Sequence, residues 1–220
     1  MAVCKSEGQA IMTETGAVTM ASAARRAVIT GFGVCTPLGR DAASFRAAIL
    51  AGRDSIAPVG RYGHPDFVGN LGSAFPDGDV EFAVSGRARR WLDRTVWYTL
   101  HALDEALTHA GIDRATVGPE RIVPERIAVV IGTSHAGLAN LEEIYPAVMA
   151  GDDTQRMLSV TVALLGAAVC RRVGALGPRI SVSSACASST NAMGVALDLI
   201  REGRADLGMS RPMLQMGGRC

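Results

Sequence analysis

Apolar positions recur along this chain with two different periods, and the switches between them mark out its elements. Arg126-Ile-Ala-Val-Val-Ile131 is a continuous apolar run of the kind carried by a strand buried on both faces of a parallel sheet, and it ends in Gly132-Thr-Ser-His-Ala-Gly137. From Asp93 the pattern changes: Val96, Leu100, Leu103, Leu107 and Ala110 step by four and three, which predicts an amphipathic helix with Gly111 as its stop. Arg26-Ala-Val-Ile-Thr30 reads as a β-branched strand, followed by a glycine loop and a helix from an Asp41 N-cap through Ala51. Further helices are predicted to about Met149, from Val160 to Val173, and from about Ala187 to Glu202, with a strand at Arg179–Ser183. Residues 53–90, rich in Gly, Pro, Asp and Arg, read as a long surface excursion. Strands alternating with helices define an α/β layered fold.

Composition narrows the function classes. The 22 Lys plus Arg against 21 Asp plus Glu leave a formal charge of +1, with no basic run, so no field gathers nucleic acid or an anionic membrane. No apolar stretch reaches the roughly 18 residues of a membrane span. The five cysteines (Cys4, Cys35, Cys170, Cys186, Cys220) are odd in number and lack a C-x-x-C pair, which argues against a disulfide framework or a zinc site and for a cytoplasmic setting. The histidines His64, His101, His109 and His135 form no H-x-x-x-H pair, so no metal and no cofactor is implied. Residues 1–24 read as a disordered tail, within which Met12 and Met20 are alternative starts that would spare the folded part.

The loop Gly31-Phe-Gly-Val-Cys-Thr-Pro-Leu-Gly39 invites comparison with a dinucleotide-binding turn, but its sixth position is Thr36 and Pro37 removes an amide donor. The only lysine is Lys5, so neither a P-loop nor a Tyr-x-x-x-Lys dehydrogenase pair exists. The glycines are read as permitting a tight strand-to-helix turn.

Cys186 stands apart from the other thiols. Cys35 and Cys170 are read as small packing residues, and Cys4 and Cys220 as incidental to the termini. Cys186 falls where a strand gives way to a helix, a position at which unpaired backbone amides and the helix dipole raise thiol reactivity. Ala185, Ala187, Ser188 and Ser189 keep bulk away from the sulfur, and the Cys186 amide is placed to stabilise an oxyanion. This setting leaves the nucleophile and packing readings both open. His101 and His109 read as rim residues of their helix, and His135 as structural, with pocket lining as its minor alternative.

Three segments together resolve the choice. Arg26-Ala-Val-Ile-Thr-Gly-Phe-Gly-Val-Cys-Thr-Pro-Leu-Gly39, Arg126-Ile-Ala-Val-Val-Ile-Gly-Thr133 and, most specifically, Leu176-Gly-Pro-Arg-Ile-Ser-Val-Ser-Ser-Ala-Cys-Ala-Ser-Ser189 resemble, in order, the opening, first internal strand and active-site block of the β-ketoacyl-acyl carrier protein synthases. The resemblance implies a thiolase-like α-β-α-β-α fold, present here as an N-terminal half with a mixed, mainly parallel sheet over residues 25–207. It implies that Cys186 accepts an acyl group from a carrier protein as a thioester, which a decarboxylating malonyl-carrier unit then attacks in a Claisen condensation of fatty acid or polyketide biosynthesis. The implied partners are the acyl carrier protein and either a second copy, as a homodimer, or a complementary C-terminal half.

The family's two C-terminal histidines and supporting lysine have no counterpart in these 220 residues, and the text after Leu207, residues 208–220, reads as a divergent tail. Two expectations follow: an N-terminal part of a condensing enzyme that is inactive alone, or a non-catalytic remnant or dimerisation partner of a condensing enzyme. A half-fold is also expected to leave apolar faces uncovered.

Overall fold

Alternation along one strand decides the architecture. In the computed structural model, β5 (Ile127–Gly132) is buried at every position. Its odd-numbered residues Ile127, Val129 and Ile131 join one apolar cluster, while Ala128 and Val130 join a second on the opposite face. A strand clad on both faces needs no polar side, which is why the sequence run is uninterrupted. The structure describes residues 2–6, 26–58, 71–75, 92–113, 117, 122–151, 157 and 160–212.

In chain order the elements are β1 (Ala2–Ser6), β2 (Arg26–Gly31), α1 (Ala42–Leu50), β3 (Ile56–Pro58), β4 (Leu71–Ser73), α2 (Arg94–His109), β5, α3 (Leu138–Met149), α4 (Val162–Val173), β6 (Arg179–Val182), α5 (Ser188–Arg201) and β7 (Leu207–Pro212). A five-stranded sheet has the order β2-β1-β7-β5-β6, and β3 pairs with β4 in a separate antiparallel ribbon. β5 runs parallel to β6 and β7, whereas β1 is antiparallel to both of its neighbours. The sheet is therefore mixed and mainly parallel.

Helices α2 and α4 cover one face, through Val96 and Leu103 of the first and Leu165, Val169 and Val173 of the second. On the other face lies α5, with Ala192, Ala196, Leu199 and Ile200 buried. Full burial of each Leu, Ile or Val contributes about 1.5–3 kcal/mol, so this three-layer sandwich supplies the main stabilisation of the described fold. Across the α2–α4 seam the Arg172 guanidinium donates to both carboxylate oxygens of Asp104. The Asp41 cap and the Gly111 stop match the sequence: Asp41 accepts from the Ser44 amide at 2.7 Å in a capping box, and Gly111 follows α2 at φ 66°; Asp93 also caps α2, accepting from the Thr95 amide at 2.7 Å.

Two sequence expectations change. Residues 2–6, read as part of a disordered tail, form β1, where the backbone groups of β2 and β7 give their own amides and carbonyls a ladder on both sides. Side-chain periodicity carries no signal for such a short strand. The strand after the last helix also continues beyond Leu207 to Pro212, in register with Ile127–Gly132 of β5. The remaining tail residues, 1, 7–24 and 213–220, lie outside the described residues, as does most of the expected excursion over 53–90.

Apolar side chains do stand uncovered. On α3, Leu138, Tyr145 and Met149 form a stripe at steps of seven and four, with exposures of 46%, 55% and 68%. On β2, Val28 and Ile29 are also exposed.

Candidate functional site

β6 ends at Val182 and α5 begins at Ser188, so the five residues between them make a tight strand-to-helix turn with Cys186 near its tip. Ala185 has φ 50°, the only non-glycine residue with positive φ among the described residues. An L-residue in this region costs about 1–3 kcal/mol and persists only where its surroundings hold it. Here the holding bonds are the Ala187 amide donating to the Ser184 carbonyl at 3.1 Å and the Ser188 amide donating to the Ala185 carbonyl at 3.1 Å. The Ser188 hydroxyl adds two more, accepting from the Ser184 amide at 2.9 Å and donating to the Ala185 carbonyl at 2.7 Å. Asn191, one turn along α5, donates through Nδ2 to the Ser184 hydroxyl at 2.7 Å.

The thiol itself is free and exposed, and the Cys186 amide donates in none of these bonds. The sequence reading placed unpaired helix amides around the sulfur. In the structure the amides of Ala187 and Ser188 are used inside the turn.

A second loop meets this turn. Thr133 donates its amide to the Val182 carbonyl at 3.1 Å and its hydroxyl to the His135 carbonyl at 3.1 Å, while the Ser183 hydroxyl donates to the Ser134 carbonyl at 3.4 Å. The loop after β5 is thus tied to the segment before Cys186, with His135 exposed at its surface. Close approach is possible because residue 132 is glycine: a Cβ there would lie 2.2 Å from the Ser188 carbonyl oxygen.

The other thiols and imidazoles lie elsewhere. Cys170 sits within α4, partly buried, and loss of solvation pushes its pKa up. Cys35, also partly buried, lies in the glycine loop. His101 Nε2 pairs with the Arg40 carbonyl at 2.7 Å, and His109 packs edge-on against Phe32 with ring centroids 4.8 Å apart. Both histidines therefore pin the loop between β2 and α1 to α2, and neither is brought to Cys186. His64 lies outside the described residues.

The glycine loop corrects one reason given for it. Gly31 and Gly33 are not among the positive-φ residues, so turn geometry does not require them. They let α2 approach instead: added Cβ atoms would lie 2.3 Å from the Ala106 carbonyl oxygen and 1.9 Å from that of Ala102. The amides of Val34 and Ala42, where a dinucleotide phosphate would need donors, are each taken at 2.7 Å by the Glu105 carboxylate. Glu105 was not singled out from the sequence; a lone acidic residue four positions from the end of an amphipathic helix gives no hint of a partner about 70 residues away.

A doubly clad, mainly parallel sheet with an exposed cysteine on a strained strand-to-helix turn defines a thiolase-like α/β protein. Comparison with known proteins then fixes the family: residues 24–209 match the Beta-ketoacyl synthase, N-terminal domain, and the chain belongs to that family. It is 31% identical over 195 residues to the tetracenomycin polyketide synthase ketoacyl synthase alpha subunit of Streptomyces glaucescens, covering 84% of this chain and 45% of that protein. It is 27% identical over 187 residues to the chloroplastic 3-oxoacyl-[acyl-carrier-protein] synthase I of Hordeum vulgare, covering 83% and 40%. Among solved structures, a type II polyketide ketosynthase in complex with its acyl-carrier protein superposes with a TM-score of 0.65 at 20% identity, covering 81% of this chain and 47% of that one. The chain spans about half the length of these relatives.

Proposed function

We propose that the chain is the nucleophile-bearing N-terminal part of a 3-oxoacyl-[acyl-carrier-protein] synthase-type acyltransferase of fatty acid or polyketide biosynthesis. The observation that carries this reading is the exposed Cys186 on its braced turn, in a chain whose residues 24–209 match the family. The Cys186 thiolate attacks the carbonyl of an acyl-carrier thioester. A new carbon–sulfur bond forms, the Cys186 amide steadies the oxyanion, and the carbon–sulfur bond to the carrier breaks, its sulfur leaving as a thiolate that takes up the proton released when Cys186 ionised.

Condensation then needs a malonyl-carrier unit to lose carbon dioxide and attack the acyl group, with the Cys186 sulfur leaving. His101 and His109 are held against the loop between β2 and α1, and His135 stands exposed on the loop beside the turn; this step is assigned to a complementary C-terminal half or to a partner chain. The uncovered stripe of Leu138, Tyr145 and Met149 supports the need for such a cover. A ketosynthase relative solved with its acyl-carrier protein supports the carrier as the acyl donor.

The test is acyl loading. The purified chain is incubated with an acyl-carrier thioester and digested, and the Cys186 peptide is weighed. An acyl adduct confined to that peptide and absent from Cys186→Ala supports the proposal; an unmodified Cys186 under conditions that acylate free cysteine refutes it.

A further inference from the structure

We propose that Ser188 is the positioning residue for the Cys186 thiol: its buried hydroxyl, by bridging the Ser184 amide and the Ala185 carbonyl, holds the turn that presents the sulfur. The inference rests on the acyl-acceptor reading of Cys186, but its test does not use acyl transfer.

Ser188 is 2% exposed, and its side chain is fully employed. The single hydroxyl proton goes to the Ala185 carbonyl at 2.7 Å, and a lone pair accepts from the Ser184 amide at 2.9 Å. The same carbonyl also receives the Ser188 amide at 3.1 Å. Two of these bonds therefore end on the Ala185 carbonyl, just after the residue at φ 50°, and the third on the Ser184 amide, before it, so that Ser188 spans Ala185 from both sides. Rotating Ala185 back to negative φ would break that set and turn the following residue, Cys186, to a new direction.

Ser188 is itself held from behind. Its backbone lies over Gly132 so closely that no Cβ fits between them, which anchors it to the end of the fully buried β5. The brace thus connects the rigid centre of the sheet to the exposed tip of the turn. Removal of the hydroxyl would take the acceptor from the part-buried Ser184 amide and one of the two donors from the Ala185 carbonyl, leaving a strained residue less firmly held, two costs that both favour rearrangement of the turn.

The experiment follows the rate at which iodoacetamide modifies each cysteine in the full chain, read by peptide mass spectrometry, for the native protein, Ser188→Ala and Ser188→Thr. Ser188→Ala is expected to change the Cys186 rate by roughly tenfold, the scale of a lost buried bridge, while Cys170 stays as slow as in the native chain. Ser188→Thr, which keeps the hydroxyl, is expected to return the Cys186 rate to within about threefold of native, as retention of the bridge requires. An unchanged Cys186 rate in Ser188→Ala overturns the proposal. So does a Thr variant as altered as the Ala variant, or an equal rise in Cys170 reactivity, which would make Ser188 a general packing residue. Failure of acyl loading with these results intact would instead count against the acyl-acceptor reading.

Discussion

Gly132 at the end of β5 and Ser188 at the start of α5 meet backbone to backbone, so closely that a methyl group on Gly132 would sit 2.2 Å from the Ser188 carbonyl oxygen. The obstacle is main chain, so no rotamer change relieves it. Gly132→Ala should therefore push α5 away from the sheet and lower stability by about 1–3 kcal/mol, the range for overpacking a well-filled site. Urea denaturation measures this; a variant as stable as the native chain would show that the two backbones are not in contact.

Thiol reactivity should separate sharply between two sites. Burial pushes the Cys170 thiol up, and its side chain packs against the core between α4 and the sheet, whereas Cys186 is exposed. Brief alkylation at neutral pH should modify Cys186 at least about tenfold faster than Cys170, as expected when burial both hinders access to Cys170 and disfavours its ionisation. Equal rates would remove the basis for treating Cys186 as the reactive thiol.

The start of β5 is tied to the start of β7. The Arg126 guanidinium donates in parallel to both carboxylate oxygens of Asp206, the Nη2 bond at 2.7 Å, and the Asp206 amide donates to the Arg126 carbonyl at 2.9 Å. Both side chains are about a third exposed. Asp206→Ala should therefore cost about 1 kcal/mol, more than an isolated surface pair because the contact is bidentate, but well short of a buried one. Arg126→Lys keeps the charge but not the fork, and should lose most of the same stability in a thermal melt.

Acid should loosen the α1 cap. The Ser44 amide, and after it the Ser44 hydroxyl, hold the Asp41 carboxyl below its ordinary value of 3.8. A carboxyl lowered in the folded state adds stability that is present above its ordinary value and lost as pH falls through the lowered one. Between about pH 5 and pH 3 the native chain should lose stability relative to Asp41→Asn, which caps without ionising. Parallel acid limbs for the two proteins would contradict this.

β1 offers a prediction about the sheet. Cys4 pairs with Val28 on one side and Leu207 on the other. Proline at position 4 removes a ladder donor, and deletion of residues 1–6 removes the strand. Both changes should speed hydrogen exchange at the amides of Arg26–Gly31 and Leu207–Met209, while those of Ile127–Gly132, flanked by β6 and β7, stay protected. Unaltered exchange in the deletion would place residues 2–6 outside the sheet.

Period and punctuation made most of the fold legible in the sequence. The run 126–131 reads as a doubly buried strand because burial on both faces removes any need for alternation, and the 96–110 stripe reads as a helix because one face alone meets the sheet. What stayed hidden depends on partners distant in sequence. The glycines at 31 and 33 look like turn residues until α2 is seen lying on them, and Glu105 looks like a surface acid until its carboxylate is found on the Val34 and Ala42 amides. Cys186 was visible through its strand-to-helix setting and the family block around it. The brace was not, because Ser188 among five small residues carries no signal until the backbone of Ala185 is known.

The central claim, that Cys186 accepts an acyl group which this chain alone does not condense, is tested most directly by one labelling experiment. The purified 220-residue chain is given an acyl-carrier thioester together with isotopically labelled malonyl-carrier, and both the Cys186 peptide and the carrier-bound products are weighed. The account predicts an acyl thioester on Cys186, and a β-ketoacyl product only when a complementary C-terminal half is added. Labelled β-ketoacyl product from the chain alone, or no acyl group on Cys186, would contradict it.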